Sequence, residues 1–249
     1  MLDGGGAMRD RVALVTGGGR GIGRAVALAM GRAGASVAIC ARTQAQVDAV
    51  AGELDALGAP ALALACDVAD GAAVEALLAA VDARFGRLDV LVNNAGGSVA
   101  RGALMESAPE AWWRTVEVNL RGTYLVTRAA LPLLRRSAPS RIINVGSGLG
   151  HGPRPGNSAY AAAKAGVWML TRCLAEEVWP LGIEVNEIVP GPVATDATRD
   201  TMRVGGPPPY AESERVKAPE EVAEAVLWLA TRPAGGPTGQ TLSLARRPL

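Results

Sequence analysis

Strand-like and helix-like segments alternate along almost the whole of this 249-residue chain. Short apolar or β-branched runs are each followed by a longer segment in which apolar residues recur with helical spacing. Strands that alternate with helices in this way pair in parallel and are joined by right-handed crossovers. The pattern therefore predicts an α/β fold, a doubly wound parallel sheet of about seven strands with helices on both faces. Such sheets bind ligands beyond the carboxyl ends of their strands.

The predicted elements fill residues 11–249, which we interpret as a single domain. Strands are predicted over 11–16, 36–41, 61–66, 88–93, 141–145, 183–189 and 240–244. Helices are predicted over 21–33, 44–57, 71–85, 109–136, 158–179 and 219–230. Residues 1–10 contain Gly4-Gly5-Gly6 and no apolar run, so we expect a disordered extension rather than a signal peptide.

Composition argues against several classes of function. The formal net charge of +1 disfavours a nucleic-acid-binding surface, and no apolar run approaches the ~20 residues of a membrane span. The three cysteines, Cys40, Cys66 and Cys173, form no C-x-x-C pair, and His151 is the only histidine. These features predict a cytoplasmic protein with reduced thiols and no metal site.

A glycine-rich turn, Thr16–Gly23, joins the first predicted strand to the first helix. Its spacing, Gly17-x-x-x-Gly21-x-Gly23, differs both from the G-x-G-x-x-G fingerprint and from the P-loop. Glycines here allow a tight turn and a close approach of the backbone, and the free N–H groups of the helix suit a pyrophosphate. The turn therefore predicts a dinucleotide site.

The end of the second strand indicates which dinucleotide binds. An acidic residue at this point would hydrogen-bond the ribose 2′-hydroxyl of NAD. This chain instead has Ala41 followed by Arg42, and Arg20 lies in the glycine-rich turn. Because two guanidinium groups suit a 2′-phosphate, we predict NADP(H) rather than NAD(H).

Tyr160 and Lys164 lie four residues apart on one predicted helix face, downstream of Ser147. A nearby ammonium group favours the phenolate form of tyrosine, which suits proton transfer. A serine hydrolase would need His151 as its base. We reject that reading because Ser147 is not in a G-x-S-x-G elbow and His151 follows it too closely.

Two further segments are compatible with a bound nucleotide, but each also suits a purely structural role. Asn93–Gly96 ends the fourth strand, where small residues let a nucleotide pass close to the backbone, although these residues also suit a simple turn. Asp67 follows the third strand. There it either contacts an adenine or caps the helix that begins near Asp70.

Together these segments resemble the short-chain dehydrogenase/reductase superfamily, in its single-domain, ketoreductase-like branch. The resemblance runs from about Arg11 to Gln240 and includes Thr16–Gly23, Asp67-Val68, Asn93–Gly96, Asn119, Ser147, Tyr160, Lys164 and Pro190–Thr195. It implies a Rossmann-type fold and a homo-oligomer, either a tetramer or a dimer. The chain departs from the family pattern at Gly146, where a second serine is common, and after Gln240.

The resemblance also implies a role for each matching residue. Tyr160 would be the general acid in reduction and the base in oxidation, with Lys164 supporting it and holding the nicotinamide ribose. Ser147 would bind the substrate carbonyl, and Asn119 would hold a water in a proton relay. The residues implied in cofactor binding are Gly17, Arg20, Gly21, Ile22, Gly23, Arg42, Asp67, Val68, Asn94, Ala95, Gly96, Tyr160, Lys164, Pro190, Gly191, Val193 and Thr195.

The expected reaction is the NADP(H)-dependent interconversion of a ketone and a secondary alcohol. The partner is thus a small carbonyl or alcohol: a 3-oxoacyl thioester, a cyclic or polyketide-like ketone, or a small sugar or alcohol, in that order. By the same resemblance, residues 194–217 form a substrate lid. Leu149 and His151 line the substrate cleft, or else His151 is an exposed loop residue. The alternatives are an NAD-dependent alcohol dehydrogenase and a non-catalytic nucleotide-binding module.

Overall fold

The computed structural model of the protein describes residues 6–196, 198, 202–206, 208 and 214–245. Its strands are β1 (Val12–Thr16), β2 (Ser36–Ala41), β3 (Ala61–Ala65), β4 (Val90–Asn93), β5 (Ser140–Val145), β6 (Ile183–Val189) and β7 (Thr241–Ser243). Its α-helices are α1 (Gly21–Arg32), α2 (Gln44–Ala56), α3 (Gly71–Phe85), α4 (Pro109–Val116), α5 (Gly122–Arg136), α6 (Ser158–Val178) and α7 (Pro219–Thr231). Every predicted strand is present, and the predicted helices differ mainly in one interruption described below.

The strands form one parallel sheet in the order β3-β2-β1-β4-β5-β6-β7. The order reverses at β1, which pairs with β2 on one side and with β4 on the other. Because the connections from β1 and β4 leave in opposite directions, a crevice opens at the carboxyl ends of these two strands. The predicted doubly wound, Rossmann-type sheet is confirmed.

Apolar layers cover both faces of the sheet. Helices α1, α2 and α7 pack on one face, where Val26, Leu54 and Val226 are buried. Helices α3, α5 and α6 pack on the other face. Each fully buried aliphatic side chain stabilises the fold by about 1.5–3 kcal/mol. Because many such side chains hold the helices on the sheet, the strand ends that carry the site have fixed positions. Within the described residues, no helix is both long and apolar enough to cross a membrane.

Residues 6–10 form turns that pack against the domain, which corrects the expectation of disorder for this part of the extension 1–10. Met8 is fully buried in the layer that contains α1. Its backbone N–H donates to the carbonyl of Ala33 at 2.9 Å. The burial of one apolar side chain orders this turn, although the glycines before it suggested otherwise. Residues 1–5 lie outside the described residues.

The single helix predicted over 109–136 is interrupted by a π-helical segment, Glu117–Arg121, between α4 and α5. The side chain of Asn119 explains the interruption. Its Nδ2 donates to the carbonyl of Thr115 at 2.8 Å and so occupies the carbonyl that a regular α-helix would offer to the backbone N–H of Asn119. Such local widenings are frequent at functional sites.

The segment 194–217 is described only in part, so a lid over these residues stays a prediction. Its two ends meet beside the carboxyl end of β6. Val193 forms an isolated parallel bridge with Lys217, and the N–H of Ala194 donates to the carbonyl of Lys217 at 2.9 Å. The two ends of the segment are therefore joined to each other at this one point.

Candidate active site

A cleft of about 1140 Å³ opens at the carboxyl ends of the strands, where the strand order reverses. Its walls include the glycine-rich turn, the end of β4, the turn after β5, α6 and residues 190–195. Small-molecule pockets usually measure about 300–1,000 Å³. The cleft therefore has room for a dinucleotide together with a second ligand.

Most of the residues singled out in the sequence meet in this cleft. The predicted cofactor residues that line it are Gly17, Arg20, Gly21, Ile22, Arg42, Asp67, Val68, Asn94, Ala95, Gly96, Tyr160, Lys164, Pro190, Gly191, Val193 and Thr195. Ser147 and Leu149 line it as well. Gly23, Asn119 and His151 are not part of its walls, and each lies behind the surface for a different reason.

Gly23 is the last residue of the glycine-rich turn, which is packed too closely for a side chain at Gly17 or at Gly23. Gly17 has a φ of 65°, and a Cβ on it would lie 2.9 Å from Nδ2 of Asn94. A Cβ on Gly23 would collide with the carbonyl oxygen of Gly17 and would lie 2.5 Å from the same Nδ2 atom. Gly23 therefore shapes the turn and is not part of the cleft wall.

Thr16 ties this turn to the end of β4, a role that the motif alone did not reveal. Its Oγ1 accepts the backbone N–H groups of Asn94 and Ala95, each at 3.0 Å. In return, Nδ2 of Asn94 donates to the carbonyls of Thr16 at 2.9 Å and Gly17 at 3.2 Å. These bonds fix the distance between the two loops at the centre of the cleft.

The beginning of α1 fits an anionic ligand. Its N-cap residue, Arg20, makes no side-chain capping bond, and the first turn contains no acidic residue. Among the described residues, the N–H groups at this end thus have no capping carboxylate, and they carry the positive end of the helix dipole. Arg20 and Arg42 are exposed at the edge of the cleft. This arrangement suits the pyrophosphate and 2′-phosphate of NADP(H).

Asp67 does not cap α3, which settles one of the two interpretations of this residue. Asp70 is the cap, since its Oδ1 accepts from the backbone N–H groups of Ala72 at 3.0 Å and Ala73 at 3.3 Å. Asp67 instead accepts the N–H of Ala69 at 3.0 Å and forms an ion pair with Arg114 of α4.

The surroundings of Asp67 also fix its charge. Burial acts to raise the pKa of the Asp67 carboxyl, but the N–H of Ala69 and the Arg114 guanidinium hold this pKa below its usual value. Asp67 is therefore an ionised wall residue near Arg42. Nothing in the sequence near Arg114 pointed to this pairing.

Asn119 is fully buried and holds the loop that follows β4. Its Nδ2 donates to the carbonyl of Gly97 at 2.7 Å, and its Oδ1 accepts the N–H of Gly97 at 3.1 Å. A Cβ on Gly96 would lie 2.5 Å from that Oδ1 and 3.5 Å from Nζ of Lys164. Asn119 thus positions the loop between itself and Lys164.

Lys164 is buried, with 4% of its surface exposed, and lies beside Tyr160 on α6. Its Nζ donates to the carbonyl of Val145 at 2.7 Å and lies 5.7 Å from the centroid of the Tyr160 ring. Burial lowers the pKa of Lys164 to about 8, against the opposing influence of the Glu187 carboxylate. Lys164 is therefore still mainly a cation at neutral pH.

Ser147 begins a short 3₁₀ turn, Gly148–Gly150, directly after β5. Its Oγ accepts the N–H of Leu149 at 3.2 Å. The turn lies against α6, because a Cβ on Gly150 would lie 2.8 Å from the carbonyl carbon of Lys164. This packing brings Ser147 to the same wall of the cleft as Tyr160 and Lys164.

His151 is neither a wall residue of the cleft nor exposed, which corrects both interpretations of it. Its side chain is 9% exposed, and its Nε2 lies 3.0 Å from Oε2 of Glu187. Its ring centroid is 5.1 Å from that of Trp168. A buried carboxylate attracts the imidazole away from the cleft. The sequence does contain a signal for Glu187: it is an acidic residue inside a predicted strand, β6, whose residues are all buried in the structure.

The segment Pro190–Thr195 completes the cleft opposite the glycine-rich turn. Gly191 has a φ of 69°, and the N–H of Thr195 donates to Oγ1 of Thr198 at 2.8 Å. A Cβ on Gly21 would lie 3.4 Å from the side chain of Thr195. The segment therefore faces the beginning of α1 across a narrow gap.

Curated relatives resemble this chain over nearly its full length. The family model described as short chain dehydrogenase matches residues 11–203. A 3-oxoacyl-(acyl-carrier-protein) reductase of Synechocystis is 39% identical over 241 residues, which is 96% of each chain. The enzyme of the same name from Escherichia coli is 38% identical, over 93% of this chain and 94% of its own.

Solved structures agree with this assignment. A short chain dehydrogenase from Burkholderia cenocepacia in complex with NADP has a TM-score of 0.84 and 33% identity, covering 95% of this chain and 97% of its own. A variant of actinorhodin polyketide ketoreductase with NADPH has a TM-score of 0.84 and 36% identity, covering 94% and 95%. The fold, the cleft and these similarities together show that the chain belongs to the short-chain dehydrogenase family of oxidoreductases.

Proposed function

We propose that this protein is an NADP(H)-dependent ketoreductase that interconverts a ketone and a secondary alcohol, with Tyr160 as the proton donor or acceptor. The observation that carries the proposal is the wall formed by Ser147, Tyr160 and Lys164, which shares one cleft with the glycine-rich turn. A module that only binds a nucleotide would have no use for a buried lysine beside a tyrosine.

NADP(H) is the cofactor that suits the charges of the cleft. Arg20 and Arg42 would hold the 2′-phosphate, the beginning of α1 the pyrophosphate, and Lys164 the nicotinamide ribose. No carboxylate ends β2, since Ala41 is followed by Arg42. The bound NADP and NADPH of the two similar structures support this choice. When bound, NADPH supplies the hydride.

The residues of the wall manage the proton and the developing charge. Tyr160 donates its phenolic proton to the substrate oxygen in reduction and takes it back in oxidation. The Lys164 cation favours the ionised phenol and so makes the donation easier. The Ser147 hydroxyl donates a hydrogen bond to the same oxygen and stabilises negative charge on it. A water held near Asn119 would return the proton, as the resemblance implies.

The substrate we propose first is a 3-oxoacyl thioester, followed by a cyclic or polyketide-like ketone and then a small sugar or alcohol. The names of the reductase and polyketide relatives support the first two classes. Val99, Leu149 and Met202 line the cleft, and these apolar side chains suit an acyl chain or a ring. We place this activity in the cytoplasm.

A homo-oligomer is part of the same proposal. Trp113, Tyr124 and Met169, on α4, α5 and α6, are 60%, 48% and 48% exposed. Large apolar side chains exposed on one set of neighbouring helices are typical of protein interfaces. We propose that these helices meet their symmetry mates in a dimer or tetramer.

Tyr160→Phe tests the proposed function, because it removes only the phenolic hydroxyl. With NADPH and a 3-oxoacyl thioester we expect turnover to fall by about 100-fold or more. The Kd for NADPH, followed by nicotinamide fluorescence, should stay at the wild-type value. A fully active variant would overturn the role of Tyr160. Binding of NADPH without turnover of any ketone by the wild type would favour the non-catalytic module.

A further inference from the structure

A fully buried carboxylate lies directly behind the wall that carries Ser147. Glu187 belongs to β6, in the interior of the sheet between β5 and β7, and its surface is 0% exposed. Its Oε2 lies 3.0 Å from Nε2 of His151 and accepts the hydroxyl of Thr241 at 2.7 Å. Because burial of a charge is costly unless it is paired, this cluster needs a reason to exist.

Gly146 makes room for the second carboxylate oxygen. A Cβ on Gly146 would collide with Oε1 of Glu187. Among the described residues, none donates a hydrogen bond to Oε1. The carboxylate therefore lies against the backbone immediately before Ser147.

His151 fixes the other end of the same short turn. The turn begins at Ser147, and His151 follows its last residue, Gly150. The imidazole is held by Glu187 on one side and by the ring of Trp168 from α6 on another, at 5.1 Å between ring centroids. Residues 146–151 are thus clamped at both ends by contacts with one carboxylate.

The carboxylate also acts on Lys164. Burial of Lys164 lowers its pKa to about 8, and the negative charge of Glu187 opposes that decrease. Among the described residues, the ionisable groups at this point are His151 from the turn, Tyr160 and Lys164 from α6, and Glu187 from β6. In the part of the chain that the structure describes, the flanking strand β7 contributes the Thr241 hydroxyl, and the backbone after β5 contributes Gly146.

We propose that Glu187 and His151 are positioning residues of the reaction site: the buried pair holds the Ser147 turn against α6 and balances the charge of Lys164. This inference rests on the proposed ketoreductase function and names two residues outside the cleft wall that serve it. Neither residue is part of the cleft wall. Their loss should therefore change the rate and its pH dependence but leave NADPH binding intact.

Glu187→Gln tests the balance of charge, because the amide keeps the shape of the side chain. Without the negative charge Lys164 loses its proton more easily, so the high-pH limb of the kcat/KM profile should move to lower pH by about one unit. Glu184→Gln is the matched control. Glu184 is a buried carboxylate of the same strand that pairs with Arg141 at 3.1 Å, at the opposite end of β6. Glu184→Gln should leave the high-pH limb of the kcat/KM profile at its wild-type pH.

His151→Gln tests the clamp, since it retains a donor for Glu187 but has no ring to pack on Trp168. We expect kcat to fall by about 10- to 100-fold with an unchanged Kd for NADPH. The proposal would be overturned if Glu187→Gln and His151→Gln both fold and both keep the wild-type kcat and the wild-type high-pH limb. If Glu187→Gln does not fold, an unaltered kcat in His151→Gln overturns it alone.

A readout that does not depend on turnover separates this inference from the proposed function. His151 is the only histidine, so the protein without a purification tag gives one set of imidazole NMR signals. A ring N–H signal protected from exchange with solvent is expected in the wild type and should exchange faster in Glu187→Gln, because a neutral amide oxygen is a weaker acceptor than a carboxylate. An unprotected signal in the wild type would overturn the buried pair. A protected signal in a protein that reduces no ketone would overturn the proposed function, and with it the positioning role, but would leave the buried pair of His151 and Glu187 established.

Discussion

Nζ of Lys164 donates to the carbonyl oxygen of Val145 at 2.7 Å, so the lysine of α6 is anchored to the strand that leads to Ser147. Val145 is the last residue of β5 and precedes Ser147 by two positions. The bond holds the ammonium at the end of that strand in a buried place, where its pKa is about 8. The charge of Lys164 and the geometry of the reaction wall are therefore linked.

The rate of ketone reduction should fall as the pH rises through about 8, the pKa of Lys164. Because burial lowers this pKa, Lys164 loses its proton at a pH at which an exposed lysine is still charged. The neutral amine no longer favours the ionised phenol of Tyr160. The measurement is kcat/KM for the ketone with saturating NADPH across the pH range. A profile that stays level well above this pKa would contradict the role of the Lys164 cation.

Arg42→Ala should weaken NADPH binding about tenfold or more, because it removes one of two guanidinium groups near the predicted 2′-phosphate. NADH lacks that phosphate, so its Kd should change little. Nicotinamide fluorescence titrations with both cofactors check this. The control is Arg32→Ala. Arg32 is an exposed arginine at the other end of α1, and its loss should change neither the Kd for NADPH nor the Kd for NADH. Equal affinity of the wild type for NADH and NADPH would show that the arginines do not select the cofactor.

Thr16→Val should destabilise the protein by about 1–3 kcal/mol, because the backbone N–H groups of Asn94 and Ala95 lose their shared acceptor. The Kd for NADPH should rise as well, since the two loops at the centre of the cleft lose their common anchor. Thr16→Ser keeps the hydroxyl and should behave nearly as the wild type. Denaturant unfolding measures the free-energy change, and equal stability of the two variants would contradict the role of Oγ1.

Sedimentation equilibrium should show a dimer or tetramer. Met169→Glu introduces a charge into the proposed interface on α6 and should reduce the mass towards that of the monomer. Trp228 of α7 is 47% exposed on the opposite layer, so Trp228→Glu should leave the mass unchanged if the interface involves α4, α5 and α6. A monomeric wild type would refute the assembly.

Local patterns predicted the elements of the fold, because strand and helix periodicity, glycine turns and i, i+4 pairs depend on neighbouring residues. Gly17, Tyr160 and Lys164 therefore could be named and placed in one cleft. Contacts between distant segments could not be predicted in this way. The π-helical turn at Asn119 depends on a side chain competing for a helical carbonyl, and the ion pair of Asp67 joins two elements far apart in sequence.

His151 shows the same limit most clearly. As the only histidine beside Ser147, it was expected in the cleft or on the surface. A carboxylate from β6, 36 residues later, instead draws it into the interior. The expectation of disorder was wrong for residues 6–10 for a similar reason, since Met8 is buried against a layer formed by residues that follow much later in the chain.

The transfer of deuterium tests the central claim most directly. The protein is incubated with NADPH that carries deuterium at the transferable position of the nicotinamide ring, together with members of the three proposed ketone classes. The account predicts an alcohol with deuterium on its carbinol carbon for at least one class, and little such product with Tyr160→Phe. A wild-type protein that binds NADPH tightly but transfers no deuterium to any of these ketones would contradict the account.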